Sequence, residues 1–207
     1  MLFHRFILGE LVTNCYLIAD ENTKNAVLFD APADSEKVLD YLDKNDLNLK
    51  IILLTHAHFD HILALKEIMD KTGAKCMLHK DEEKYLSDPA LNLSGEHADK
   101  VGKIHEYSLL DDGERIVLDG LLIETIHTPG HTAGGACYLV NGEILISGDT
   151  LFSGSIGRTD FPLGSFDDEI KSIKEKLMPL GDEIKVYPGH GFSTTIGKQR
   201  KENPYLI

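Results

Sequence analysis

The chain has 207 residues, 42% of them hydrophobic and 27% charged, a mix that excludes disorder as the main state. At roughly 150 residues per domain it predicts one domain, residues 1–207. Lys plus Arg number 21 against 34 Asp plus Glu, and the formal charge of −13 argues against a protein that grips phosphate backbones, so no nucleic-acid partner is expected.

In chain order, residues 2–8 and 11–19 are apolar and β-favouring, with Gly9-Glu10 as a turn, and Asn25 to Asp30 (NAVLFD) predicts a third antiparallel strand. Ala33 to Lys44 has helical spacing, with Asp34 or Ser35 as its cap. Leu49 to Leu54 is a nearly continuous apolar run, the pattern of a strand buried on both faces. Asp60 to Thr72 reads as one helix ended by Gly73. Lys75 to His79 predicts a strand and Asp81 to Leu86 a short helix. Ser87 to Lys103 is polar and weakly patterned, and is expected to be a mobile loop or lid. Short strands follow at 115–118, 121–127, 136–140 and 143–147, with Asn141-Gly142 as a hairpin turn. Phe166 to Leu177 predicts an amphipathic helix, Ile184 to Tyr187 a strand, and the tail a short basic helix. This order predicts an α/β fold of two sheets packed face to face with helices outside.

Cys15, Cys76 and Cys137 are far apart and odd in number, which fits a reducing compartment and buried thiols. The N-terminus lacks the marks of a secretory signal, and no stretch reaches the ~18 apolar residues needed to span a bilayer. The expectation is a cytoplasmic protein without a membrane partner.

Chemistry concentrates at strand ends. Thr55-His56-Ala57-His58-Phe59-Asp60-His61 follows the buried strand directly and opens a helix. His56 and His58, two apart, face the same way in extended backbone. Four ligand-type residues in six positions point to a metal, since imidazole and carboxylate bind zinc and iron. Three further strand ends each deliver one such residue: His131 in TPGHT, Asp149 in SGDT and His190 in YPGHG. Each is ambiguous alone; together they repeat one design. Five histidines and two aspartates exceed the three or four ligands of one zinc and suit two ions sharing a carboxylate. Two ions about 3.5–4 Å apart clamp a bridging hydroxide and polarise an electrophile.

The pattern His56-x-His58-x-Asp60-His61, then His131, Asp149 and His190, resembles the metallo-β-lactamase superfamily over nearly the whole chain. The resemblance implies an αβ/βα four-layer sandwich of two mixed β-sheets. It implies His56, His58 and His131 on a first metal, Asp60, His61 and His190 on a second, and Asp149 bridging. The expected cofactors are two divalent ions, zinc first, with iron or manganese as alternatives. The β-lactamases proper match poorly, many having cysteine at the position of Asp149. The RNA-processing members usually carry an added nuclease domain or RNA-binding arm, for which this chain leaves little room.

GHTAGGACY, GDTLF and GRTD are closest to the hydroxyacylglutathione hydrolases (the glyoxalase II group), which cleave glutathione thioesters. The chain ends shortly after His190, where long members add a helical domain, and Gly191-Phe192 replaces their acidic residue and tyrosine. It therefore resembles the short bacterial hydrolases of that group. The implied reaction is attack of a bridging hydroxide on a small-molecule thioester or ester carbonyl, with Asp60 as the catalytic residue that positions the hydroxide or takes its proton. GRTDF and the terminal ENPYL also resemble persulfide dioxygenases, which hold one iron at positions equivalent to His56, His131 and Asp149. A metal-holding scaffold without catalysis is the third reading.

Arg158, in a glycine-rich loop, is a candidate for binding a substrate carboxylate, or else a structural partner of Asp160. Thr55, Thr128 and Thr132 can orient ligands or cap turns. His4, His79, His97, His105 and His127 are left outside the ligand set, and Phe59, Phe152 and Phe192 can wall a pocket or pack in the core.

Overall fold

Strands Leu2–Leu8 (β1) and Thr13–Ala19 (β2) pair antiparallel, and Asn25–Phe29 (β3) adds antiparallel to β2. The computed structural model that shows this describes residues 1–207, apart from the side chain of Lys100. Helix Ser35–Lys44 (α1) then crosses over, so Asn48–Leu53 (β4) returns parallel to β3, as a parallel pair requires. Helices Phe59–Ile62 (α2) and Leu65–Thr72 (α3) lead to Lys75–His79 (β5), parallel to β4. A 3-10 turn at Lys80–Leu86 and the short helix Ala98–Val101 (α4) precede Tyr107–Leu110 (β6), parallel to β5.

The second sheet is built from Arg115–Leu118 (β7), Leu121–His127 (β8), Ala136–Val140 (β9) and Ile144–Gly148 (β10). A two-stranded hairpin, Leu151–Phe152 (β11) with Ser155–Ile156 (β12), stands apart from it. After helix Phe166–Ser172 (α5), Lys185–Pro188 (β13) pairs parallel with β10, and Thr194–Thr195 (β14) closes the edge before helix Ile196–Glu202 (α6). The strand orders are β1-β2-β3-β4-β5-β6 and β14-β13-β10-β9-β8-β7.

Three apolar layers glue four layers of structure. Val38, Leu42, Ile52, Leu65 and Ile68 fill the space between the first sheet and its helices. Val27, Phe29, Leu53, Ile123, Tyr138 and Ile146 lie between the sheets. Leu145, Ile173, Leu177, Val186 and Ile196 lie under α5 and α6. This is the expected αβ/βα sandwich of two mixed sheets. In β4 the pairs Ala26–Leu49 and Val27–Ile51 leave Lys50 as a bulge. The extra residue flips the alternation, so Leu49 and Ile52 face the helices while Ile51 and Leu53 face the other sheet.

Four sequence expectations change. The helix expected over Asp60 to Thr72 is broken at Leu63–Ala64, because the amide of Ala64 donates to the carbonyls of Ala31 and Pro32 instead of continuing the ladder. The first turn spans residues 9–12, with Gly9 and Val12 at positive φ, so β2 begins at Thr13. Asp34 takes the N-cap position of α1 without a side-chain cap bond; its carboxylate accepts instead from the amide of Gly9 and from Lys37. Residues 87–103 are not a plain polar loop. Asn92, Ser94 and Val101 are buried, and the carbonyl of Asn92 accepts from the amide of Phe59, 2.8 Å away. The expected helix over Phe166 to Leu177 is present, its last turn widened into a π turn at Ile173–Leu177. No helix among the described residues is long and apolar enough to cross a membrane.

Candidate metal centre

The parallel pairs set the C-terminal ends of β4 and of β10 and β13 along one edge of the two sheets, the position where open α/β sheets place ligands. The Thr55–His61 segment leaves β4 there. The turn carrying Asp149 leaves β10, and the turn carrying His190 leaves β13. His131 arrives from the second sheet on the Thr128–Thr132 turn after β8.

All seven predicted ligands meet. One donor atom each from His56, His58 and His131 lies within 4.8 Å of the others, and the same holds for Asp60, His61 and His190. Asp149 reaches both groups: its Oδ1 is 3.5 Å from His61 Nε2, and its Oδ2 is 3.7 Å from His131 Nε2 and 3.6 Å from His190 Nε2. His58 Nδ1 and His131 Nε2 are 2.9 Å apart.

The donors fit divalent ions. Nε2 of His56, His58 and His61 and Oδ1 of Asp149 are buried without a hydrogen-bond partner, a costly state for polar atoms that no protein group satisfies. Burial, then the neighbouring imidazoles, pushes His56 well below its usual range and His58 down to about 3, and burial also lowers His131. These rings stay neutral, the form that binds metal. Burial opposes charge on His61, yet Asp60, Asp30 and Asp149 together raise it to about 10. Burial alone would raise Asp60, but His61, His190 and the Thr13 hydroxyl hold it well below the carboxylate range. The first triad is thus a cluster of neutral imidazoles, and the second joins imidazoles to the carboxylates of Asp60 and Asp149. Nitrogen and oxygen donors without thiolate suit zinc, iron or manganese alike. Gly189 is required by this crowding: a Cβ there would stand 2.2 Å from Asp149 Oδ1.

Buried groups that the sequence did not single out brace the ligands. Asp30, at the end of β3, accepts from the amide and hydroxyl of Thr55 and, at 2.8 Å, from His61 Nδ1. Its signal was available: an acidic residue ending a buried strand, as at Asp149. Thr13 donates to Asp60 Oδ2 at 2.8 Å. Glu82 is fully buried and joins the two histidine turns, accepting from the Ala57 amide, the Thr132 hydroxyl and the Gly134 amide at 2.8–3.0 Å. Glu169 accepts from the amide of His131 at 2.9 Å. Burial raises Glu82 to about 7, and burial followed by Asp149 raises Glu169 to about 9. Neither glutamate lies near a motif in sequence.

Of the three threonines, Thr55 touches His56 Nδ1 at 3.1 Å and Thr132 binds Glu82, while Thr128 faces Cys137, Thr150 and the Gly135 carbonyl. Arg158 forks onto Asp160, both bonds 2.9 Å, and its guanidinium lies 4.3 Å from the Phe161 ring centre. Its carbonyl accepts from His131 Nδ1 at 2.7 Å. Phe161 and Phe152 line the metal cleft, and so does Phe59. Phe192 is 81% exposed. All three cysteines are buried and free.

A second group gathers outside the cleft. His79, Asp81 and His127 bring donor atoms within 4.8 Å. The two rings stack at 3.7 Å and 12°, so their nitrogens lie in parallel planes and do not aim at one point, and His127 Nε2 is bonded to the Ala133 carbonyl at 3.0 Å. It joins β5 to β8 across the sandwich and is not a ready metal site.

Residues 8–190 match the family model of the metallo-beta-lactamase superfamily, and the chain belongs to that superfamily. With its donor set, it falls in the class of metal-dependent hydrolases. Among individual proteins, it is 38% identical over 200 residues to hydroxyacylglutathione hydrolase GloC of Haemophilus influenzae, covering 93% of this chain and 92% of that protein. The crystal structure of BLEG-1 B3 metallo-beta-lactamase superposes with a TM-score of 0.92 at 36% identity, covering 99% of both chains. TTHA1623, solved in a di-iron-bound form, superposes at 0.85 with 32% identity, covering 98% of this chain and 100% of that one.

Proposed function

We propose that this chain, as a single domain over residues 1–207, is a dinuclear hydrolase of a small-molecule thioester or ester, like the hydroxyacylglutathione hydrolases. Zinc is the expected metal and the cytoplasm the expected compartment. The observation that carries the reading is the sharing of Asp149 between two triads of donors. The similarity to a hydroxyacylglutathione hydrolase supports the choice of substrate class.

His56, His58 and His131 would hold one ion, Asp60, His61 and His190 the other, and Asp149 both. When bound, the two ions would supply Lewis acidity, enough to ionise a water at neutral pH and polarise a carbonyl. The chain's own contribution is position. Asp30 fixes the ring of His61 through Nδ1, leaving Nε2 for the cleft, the usual device for orienting a ligand histidine. Thr13 occupies one lone pair of Asp60 Oδ2 and aims the carboxylate at the cleft, where it positions the attacking water. Arg158, held by Asp160, stands at the rim as a substrate contact.

The test is metal stoichiometry and S-lactoylglutathione hydrolysis on one preparation. Two ions per chain with thioester turnover is the expected result. One iron per chain, no thioester turnover and oxygen uptake with a persulfide would replace this reading with the persulfide dioxygenase. Bound metal without turnover of any thioester, ester or persulfide would leave the scaffold.

A further inference from the structure

The metal cleft adjoins a second cavity. The cleft encloses about 360 Å³ and the adjoining cavity about 490 Å³, and Leu11, Phe59 and Asp60 line both. Both volumes are of the size that holds small ligands, ~300–1,000 Å³. The second cavity runs away from the metals between the β1–β2 turn and the helix break at Leu63, walled by Leu8, Leu11, Phe59, Leu63 and the ring of His97. That ring stacks on Phe59 at 5.3 Å and 14°, so residues 87–103 supply one wall.

Its charge is of one sign. Glu10 and Asp34 stand on its wall, Asp34 paired with Lys37 at 2.8 Å, and among the described residues no lysine or arginine lines it. In the metal cleft the one arginine, Arg158, shares its charge with Asp160. Leu11, which lines both cavities, is 50% exposed. An anionic tripeptide finds little here to neutralise it, whereas an aliphatic chain finds the side chains of Leu8, Leu11, Phe59 and Leu63 to lie against.

We infer that the cavity beyond Asp60 binds an uncharged aliphatic arm of the substrate, so that the preferred substrates are medium-chain thioesters or esters and not small acyl groups on an anionic thiol. This rests on the hydrolase reading for its chemistry, though not for the binding itself. The arm can belong to the acyl group or to the leaving thiol.

The experiment has three parts. With the metal-loaded protein, kcat/KM is measured for N-acetylcysteamine thioesters from acetyl to octanoyl, then for acetyl thioesters from N-acetylcysteamine to octanethiol, with S-lactoylglutathione alongside. Binding of the uncleavable thioether S-octyl-N-acetylcysteamine is followed separately by equilibrium dialysis, with and without metal. Both are repeated with Leu11→Asp, which sets a charge at the junction of the two cavities on an exposed turn. The expected result is a rise of about two- to fourfold per methylene in one of the series, which identifies the arm's source. The thioether should bind, and Leu11→Asp should lower the octanoyl-to-acetyl ratio, or its thiol-series equivalent, at least tenfold and weaken thioether binding. Rates flat within twofold in both series, with no thioether binding, overturn the inference and leave the hydrolase standing. Thioether binding sensitive to Leu11→Asp, with no thioester or ester cleaved, keeps the cavity and removes the hydrolase.

Discussion

At the scale of single residues, the site separates groups that face the cleft from groups that hold them. His58→Ala removes a donor from the first triad without touching the core. Turnover should vanish and bound metal fall below two per chain while the far-ultraviolet circular dichroism stays that of the parent; full activity would sink the ligand assignment. Glu82 acts at one remove. Alanine there leaves the Ala57 and Gly134 amides and the Thr132 hydroxyl without an acceptor. Unmade buried bonds of this kind cost about 1–3 kcal/mol each, and losing such a brace weakens metal affinity about 10–100-fold. Metal titration and urea unfolding of Glu82→Ala check both numbers. Glutamine accepts one of the amides but turns its own NH2 towards another donor, so Glu82→Gln should recover only part of the affinity.

At the scale of elements, two glycines test what a turn is for. Asn141 and Gly142 both have positive φ, the geometry of the tight hairpin between β9 and β10. A Cβ at Gly142 would meet nothing within 4 Å, so Gly142→Ala should cost about 1 kcal/mol of stability through backbone conformation alone and leave turnover intact. Gly189 has an ordinary backbone and no such room. A Cβ there meets Asp149 and, at 2.8 Å, the ring of His61. Gly189→Ala should therefore disrupt metal binding out of proportion to its effect on stability. Calorimetry with metal analysis on the two variants separates the cases. The broken helix belongs here as well: its end at Leu63 lets the Ala31 and Pro32 carbonyls seize Ala64, and it opens the wall that Leu63 gives to the second cavity.

At the scale of the whole molecule, the candidate ligands come from both sheets, so a bound metal and the sandwich would stabilise each other. An ion that binds only the folded chain adds about 2.7 kcal/mol at a hundredfold excess over its Kd, and each kcal/mol moves the midpoint of a chain this size by about 2–4 °C. Chelation should lower the melting temperature by several degrees, and re-addition should restore it. The His79–His127 stack gives the metal-free sandwich a pH dependence of its own. Burial, then His127, lowers His79 to about 4. Below its ordinary pKa of 6.5 the unfolded chain takes up a proton that the folded chain refuses. This contribution is present above pH 6.5 and is lost as pH falls towards 4. Urea unfolding of the metal-free protein should show the parent losing on the order of 2 kcal/mol more than His79→Phe between pH 6.5 and pH 4; equal losses would show that the stack carries no such linkage.

The residues that meet at the cleft were legible in the chain because they follow strand ends, and a strand end pins its side chain within a few residues of sequence. His56 to His61 stood out by local spacing, His131, Asp149 and His190 only as three further strand ends repeating one design, and the apolar runs announced the sandwich that brings them together. What stayed hidden depends on contacts between distant segments. Glu82 and Glu169 read as ordinary helix-surface acids until packing buries them against turns 50 and 38 residues away. The break at Ala64 follows from backbone acceptors on the chain after β3, and the second cavity from the meeting of a turn near the N-terminus with residues 59–63 and 97. Periodicity records which side of an element is apolar. Only the tertiary structure decides which polar groups are left facing one another once that side is buried.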